Sequence, residues 1–202
     1  ARADRSPGEH HQLDIEMSFV TPEDIFAVVE SLLHGVFTKF SAWKVDKTPF
    51  RRIPYDEAMV KYGSDKPDLR IPIEIADISE LFRNSKFNAF RSIVERGGVI
   101  RAIPVSGIAD KPRSFFDKLV EYAQSIGSKG LAYLVFEGGA VKGPLAKFLS
   151  PEDLAALTRI CGTKEGDVVF FVGEAAKEAN RIAGDLRLKL GRDLDRIEKD
   201  CY

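Results

Sequence analysis

At 202 residues the chain can form one large domain or two small ones, and either can bury a core. With 44% hydrophobic and 30% charged residues it is not a disordered or fibrous polymer, and its apolar runs are too short to cross a bilayer. A formal charge of -1 supplies no global field to gather nucleic acid, and two distant cysteines and three scattered histidines match no metal-ligand spacing.

The first element is "EHHQLDIEMSFV". His11, Leu13, Ile15, Met17 and Phe19 alternate with Gln12, Asp14, Glu16 and Ser18. That period of two predicts a half-buried strand with an amide and two carboxylates along its polar face. "TPEDIFAVVESLLHGVFTKF" follows, with Thr21 as N-cap, Pro22 in the first turn, and Glu23 and Asp24 opposing the helix dipole. Its apolar residues recur at three-and-four spacing, so a long helix is expected here. Residues 50–53 read as a short strand. "PYDEAMVKYG" reads as a short helix opened by Pro54 and stopped by Gly63, and "SDKPDLRIP" as a polar turn.

Beyond residue 80, "FNAFRSIVERGGVIRAIPV" suggests two strands joined across Gly97-Gly98, and "RSFFDKLVEYAQSIG" an amphipathic helix ending at Gly127. "GLAYLVFEGG" is a strand, and "VKGPLAKFL" a loop leading to a short strand. "SPEDLAALTRICG" repeats the earlier helix-start signal, "GDVVFFVGE" is a strongly apolar strand, and "AAKEANRIAGDLRLKLG" closes as a helix. The order argues for an α+β fold, with helices packed on a mainly antiparallel sheet.

Asp14 and Glu16, two apart on a strand, point the same way about 7 Å apart and repel unless a cation sits beside them. A solvated strand face, or pairing to Arg or Lys on a neighbouring strand, accounts for them. The functional alternative is a site for a substrate ammonium, or for basic residues held in a fixed array. Arg2 and Arg5, flanking Asp4, can meet phosphates, while composition alone favours an exposed terminal loop. Asp65, Lys66, Asp68 and Arg70 can satisfy one another, and "YGSDKPDLR" lacks the glycine spacing of a phosphate loop. Phe115, Phe116, Phe170 and Phe171 fall on core-like periods. No nucleophile–base set can be assembled.

The ordered words "RADRSPGEHHQLDIEMSFV" and "PYDEAMVKYGSDKPDLR" resemble the bacterial aspartyl-tRNA synthetases of class II. The first resembles the end of the motif 2 loop and its second strand. "GLAYLVF", "PLAKFL", "GDVVFFVGE" and "LRLKLGRDL" resemble the insertion of those enzymes, the GAD domain, which is shared with amidotransferase subunits. The resemblance implies three segments: part of a class II catalytic sheet and helix at 1–80, a two-layer GAD-type insertion at 81–174, and a return toward the catalytic domain at 175–202. It implies that Gln12, Asp14 and Glu16 line an aspartate pocket, with Asp14 facing the ammonium. Arg2, Asp4 and Arg5 are implied to approach the acceptor end of tRNA.

For the parent enzyme the resemblance implies ATP and Mg2+, L-aspartate, aspartate tRNA with asparagine tRNA as a further partner, a homodimer, and a cytoplasmic location away from membranes. Two departures are plain. Ser6 stands where many members carry a glutamine that helps hold ATP. The Phe-Arg-x-Glu stretch, motifs 1 and 3, and the anticodon-binding barrel are not within these residues. An excised middle section, catalytically incomplete alone, is therefore expected. The alternative is a non-catalytic GAD-type module that binds tRNA or a partner, and a third reading is a fragment whose first strand merely packs in a sheet.

Overall fold

The computed structural model describes residues 9–202. The chain divides into two compact units, one of Ala1–Arg51 with Asp200–Tyr202, the other of Arg52–Lys199. In the first unit, helix α1 (Pro22–Phe40) begins as its residues dictate. The Asp24 carboxylate accepts from the Thr21 backbone N–H (2.8 Å) and hydroxyl (2.7 Å), which closes one side of a capping box. Lys44 and Cys201 form an isolated parallel bridge, with Lys44 N–H donating to Asp200 O and Tyr202 N–H to Lys44 O. The Tyr202 ring lies 4.3 Å from Phe37 and 5.0 Å from Trp43.

The second unit is built on one sheet. Its strands are β1 (Ala76–Asp77), β2 (Val99–Val105), β3 (Ala132–Glu137), β4 (Ala140–Lys142) and β5 (Val168–Glu174). They run in the order β1-β2-β5-β3-β4, and every pair is antiparallel. Its helices are α2 (Tyr55–Tyr62), α3 (Ser79–Phe82), α4 (Asn88–Glu95), α5 (Arg113–Ser125), α6 (Pro151–Cys161) and α7 (Ala176–Asp193).

Alternate residues of the central strands enter different cores. Ile100, Ala102, Leu134, Val169 and Phe171 face a cluster completed by Phe82 of α3, Phe90 of α4 and Leu157 of α6. Ile103, Val105, Val168, Phe170 and Val172 face a second cluster completed by α5 and α7, together with Ile71, Ile73 and Ile75. Both sheet faces are buried, which is why β5 reads as an unbroken apolar run rather than an alternating one. The α+β class and antiparallel sheet are as expected, but helices on both faces add a third layer to the two expected.

Several elements differ from the sequence reading. Residues 88–95 form helix α4 rather than a strand, because Phe90, Ile93 and Val94 share one helical face and Phe90 meets Phe82 and Phe87 edge-on at 4.9 Å. Gly97-Gly98 then ends a helix rather than joining strands. Gly97 has φ +80°, and the amides of Gly97 and Gly98 donate to Val94 O and Ile93 O. Residues 50–53 pair with no strand among the described residues. The stretch after β4 is a 3₁₀ turn, Ala146–Phe148.

Phe171 is fully buried between α4 and β2, so Phe171→Ala is expected to cost about 3–5 kcal/mol. The Ser150 hydroxyl accepts from Asp153 N–H at 3.1 Å at the start of α6, and Ser150→Ala is expected to cost about 1 kcal/mol. Urea unfolding followed by circular dichroism measures both.

Candidate functional site

Two places hold the residues that the sequence singled out. The first is the opening segment. Residues 10–17 run without regular structure and the chain bends at 18–19, where Phe19 takes φ +58°. The expected strand is therefore not formed. A strand needs a neighbour for its backbone groups, and this segment has no ladder partner among the described residues. Its apolar set is correspondingly open, with Leu13 67% exposed.

The local geometry still brings two of the polar residues together. Gln12 Nε2 donates to Asp14 Oδ1 at 2.7 Å. The bond brings both side chains to one side of the chain locally and restrains the Asp14 carboxylate. Glu16 is exposed and pairs with nothing among the described residues. Arg2, Asp4 and Arg5 lie outside the described residues.

The second place is the "YGSDKPDLR" block. Gly63 ends α2 with φ +70°, and a Cβ there would run into the Asn180 carbonyl on α7, so only glycine fits. Asp68 receives a two-pronged grip from Arg70, Nε to Oδ1 and Nη2 to Oδ2, each 2.9 Å, and Lys66 Nζ meets Asp65 at 2.7 Å. The charges of the loop therefore satisfy one another, and its backbone is held from the other side. The buried Arg187 of α7 donates from Nε to Ile73 O (2.6 Å) and from Nη2 to Asp68 O (2.7 Å) and Ile71 O (2.9 Å). Its guanidinium sits 5.0 Å from the Tyr62 ring centre. Burial pulls its pKa below the usual arginine range, opposed by Asp68, Tyr62 and Glu74.

A parallel network joins the sheet to the same helix. Arg101 of β2, 3% exposed, donates to Asn180 Oδ1 at 2.7 Å and pairs with Asp77 at 2.6 Å. Sequence reasoning missed both arginines. The signal was present: Asn180 and Arg187 lie seven apart on the face of α7 that also carries Ala179, Ala183, Leu186 and Leu190. Polar side chains inside an apolar stripe mark buried partners.

A groove of about 730 Å³ opens at the β1 edge of the sheet, between α2 and α6. Lys61 on its rim is engaged by Glu57 (3.0 Å) and Glu74 (3.7 Å). Asp167 accepts from the backbone N–H groups of Gly107 and Lys164. Burial pushes the Cys161 thiol up to about 12, so at neutral pH it is not a thiolate nucleophile. Among the described residues no three acidic, histidine or cysteine side chains converge on a metal-sized point. No helix of the described residues is long and apolar enough to cross a membrane.

Residues 90–183 match the GAD domain family. Beyond that stretch, the whole chain is 55% identical over 203 residues to the aspartate–tRNA(Asp/Asn) ligase of Rickettsia felis, 54% to that of Rickettsia prowazekii and 53% to that of Rickettsia africae. In each case 100% of this chain aligns with 34% of the relative, so the chain spans about a third of the length of the curated relatives it matches. The GAD match takes in the sheet from β2 to β5, and the rest of the chain is similar to the matched third of these ligases.

Asp68 generates a pH prediction. The Arg70 side chain, and then its amide, hold the Asp68 carboxyl below its ordinary value against the opposing effect of burial. A depressed folded pKa stabilises above the unfolded value of about 3.9, and that contribution is lost as pH falls through the folded pKa. Asp68→Asn is therefore expected to lower stability at pH 7 and to flatten the loss of stability below about pH 4, as read by thermal melts across pH.

Proposed function

We propose that this chain is part of an aspartate–tRNA ligase, which activates L-aspartate with ATP and transfers the aspartyl group to the 3′ end of tRNA. The observation that carries the reading is whole-chain identity of 53–55% with ligases of that name, which covers the opening segment and the "YGSDKPDLR" block as well as the GAD domain. A GAD module alone would require neither. By descent we assign 1–80 to the catalytic domain, 81–174 to the GAD-type insertion and 175–202 to the return toward the catalytic domain.

In this reading Asp14 binds the α-ammonium of aspartate and Gln12 sets its orientation. Glu16 adds negative potential that disfavours a misplaced substrate carboxylate. A carboxylate held by an amide neighbour loses less freedom on binding than a free one, which favours the ammonium. The aspartate carboxylate then attacks the α-phosphorus of ATP and pyrophosphate leaves. The tRNA hydroxyl next attacks the activated carbonyl and AMP leaves. Catalysis of this kind rests on positioning and charge stabilisation.

ATP and Mg2+ belong to the whole protein. Arg2, Asp4 and Arg5 are assigned to the acceptor end of aspartate tRNA. The "Asp/Asn" in the relatives' names supports asparagine tRNA as a second substrate. A homodimer in the cytoplasm completes the proposal.

ATP–pyrophosphate exchange with aspartate tests it. The longer protein is expected to be active, with Asp14→Ala lowering kcat/KM for aspartate by about 30-fold or more, the usual loss on removing one member of a hydrogen-bonded charge pair. The 202-residue chain alone is expected to show no exchange above background. Exchange by the longer protein that Asp14→Ala leaves unchanged would contradict the site. No aspartate-dependent exchange at all would favour a non-catalytic GAD module.

A further inference from the structure

The GAD match ends at residue 183, in the middle of α7. The first half of that helix, through Ala179, Ile182 and Ala183, packs against the sheet. The second half carries Arg187, whose guanidinium donates to the carbonyls of Asp68, Ile71 and Ile73. Two glycines, Gly184 and Gly191, bracket it one heptad apart. A Cβ on Gly184 would lie 3.0 Å from the carbonyls of Tyr62 and Gly63, and one on Gly191 2.9 Å from the Ile71 side chain. Small residues therefore admit the loop at both ends and a forked cation holds its middle.

The loop's own residues complete the arrangement. Ile71, Ile73 and Ile75 are each 2% exposed and belong to the same core cluster as β5 and α7. Glu198 N–H donates to Arg70 O at 3.0 Å. Within the loop, the Asp68 and Ile71 carbonyls also accept from the N–H groups of Ile71 (3.4 Å) and Ile73 (2.9 Å), so Arg187 adds a second donor to each and bonds Ile73 O as well.

We propose that Arg187 is a positioning residue that latches the "YGSDKPDLR" loop to α7, so that this block and the GAD domain order and open as one cooperative unit, larger than the 90–183 stretch. The inference does not depend on the reaction of the longer protein. A catalytic-domain block of the proposed ligase would owe its conformation to the helix that leaves the insertion.

Limited trypsin digestion of the 202-residue chain, followed by mass spectrometry, tests this through two bonds. Arg70–Ile71 lies in the latched loop. Lys142–Gly143 lies after β4, at the opposite edge of the sheet. In Arg187→Met the rate of the first bond relative to the second is expected to rise about tenfold. Arg187→Lys is expected to rise similarly, because one ammonium cannot reproduce a planar fork to three carbonyls.

Leu134→Ala, a cavity in the opposite core, serves as the destabilised control and is expected not to raise the ratio. Should Arg187→Met fail to fold, Gly191→Ala keeps the guanidinium, wedges Ile71 and is expected to raise the same ratio. Equal acceleration of both bonds in the folded Arg187 variants, a wild-type ratio in Arg187→Lys, or no rise in Gly191→Ala would each overturn the latch. The assay reads no catalysis, so its outcome is independent of the exchange experiment.

Discussion

A guanidinium buried in a protein must find oxygen, because leaving its donors unpaired costs several kcal/mol. Arg187 finds three backbone carbonyls on one irregular loop, whose own backbone bonds there are local ones, Ile71 N–H to Asp68 O and Ile73 N–H to Ile71 O. The contact satisfies the guanidinium and ties those local turns to α7. The loop that results feeds Ile71, Ile73 and Ile75 into the core beneath the sheet and runs directly into β1 and α3, so the edge of the sheet and part of the opposite core follow from it.

The same reasoning explains why the sheet carries helices on both sides. β2 and β5 are apolar at almost every position, and antiparallel strands of that composition cannot leave a face in water. Both edges are short. β1 is two residues long, and Pro104 stands just past its end. Ile78 N–H donates to Ile100 O, so even-numbered β2 residues aim their backbone groups toward β1. The N–H that Pro104 lacks would have pointed to the unpaired side, where a proline costs nothing and blocks pairing with another chain.

Much of this was legible in the sequence, for identifiable reasons. The starts of α1 and α6 are spelled by Thr or Ser followed by Pro-Glu-Asp, and the stops of α2 and α6 by glycines at φ +70° and +63°. The long apolar runs of β3 and β5 could hardly be anything but buried strands. The failures are of two kinds. In α4 the aromatic and β-branched residues look strand-like, and Gly97-Gly98 imitates a hairpin; tertiary packing of Phe90 decided the matter. In residues 9–20 the alternation reads as a strand, but periodicity specifies faces and never the neighbouring strand that makes a ladder possible. The Gln12–Asp14 hydrogen bond forms because it is local, whereas periodicity carries no information on what Glu16 meets. Arg187 was missed because a charged residue in a helix is ordinarily solvated, and only its place within an apolar stripe distinguishes it.

Native-state hydrogen exchange on the unmodified chain probes the central claim most directly. If the loop and the GAD domain are one cooperative unit, the amide of Ile75, which donates to Lys61 O at 2.8 Å, should exchange with the same free energy and urea dependence as amides of β2 and β5. Exchange of Ile75 through a low-energy opening that urea hardly affects, while β2 and β5 remain protected, would contradict the account.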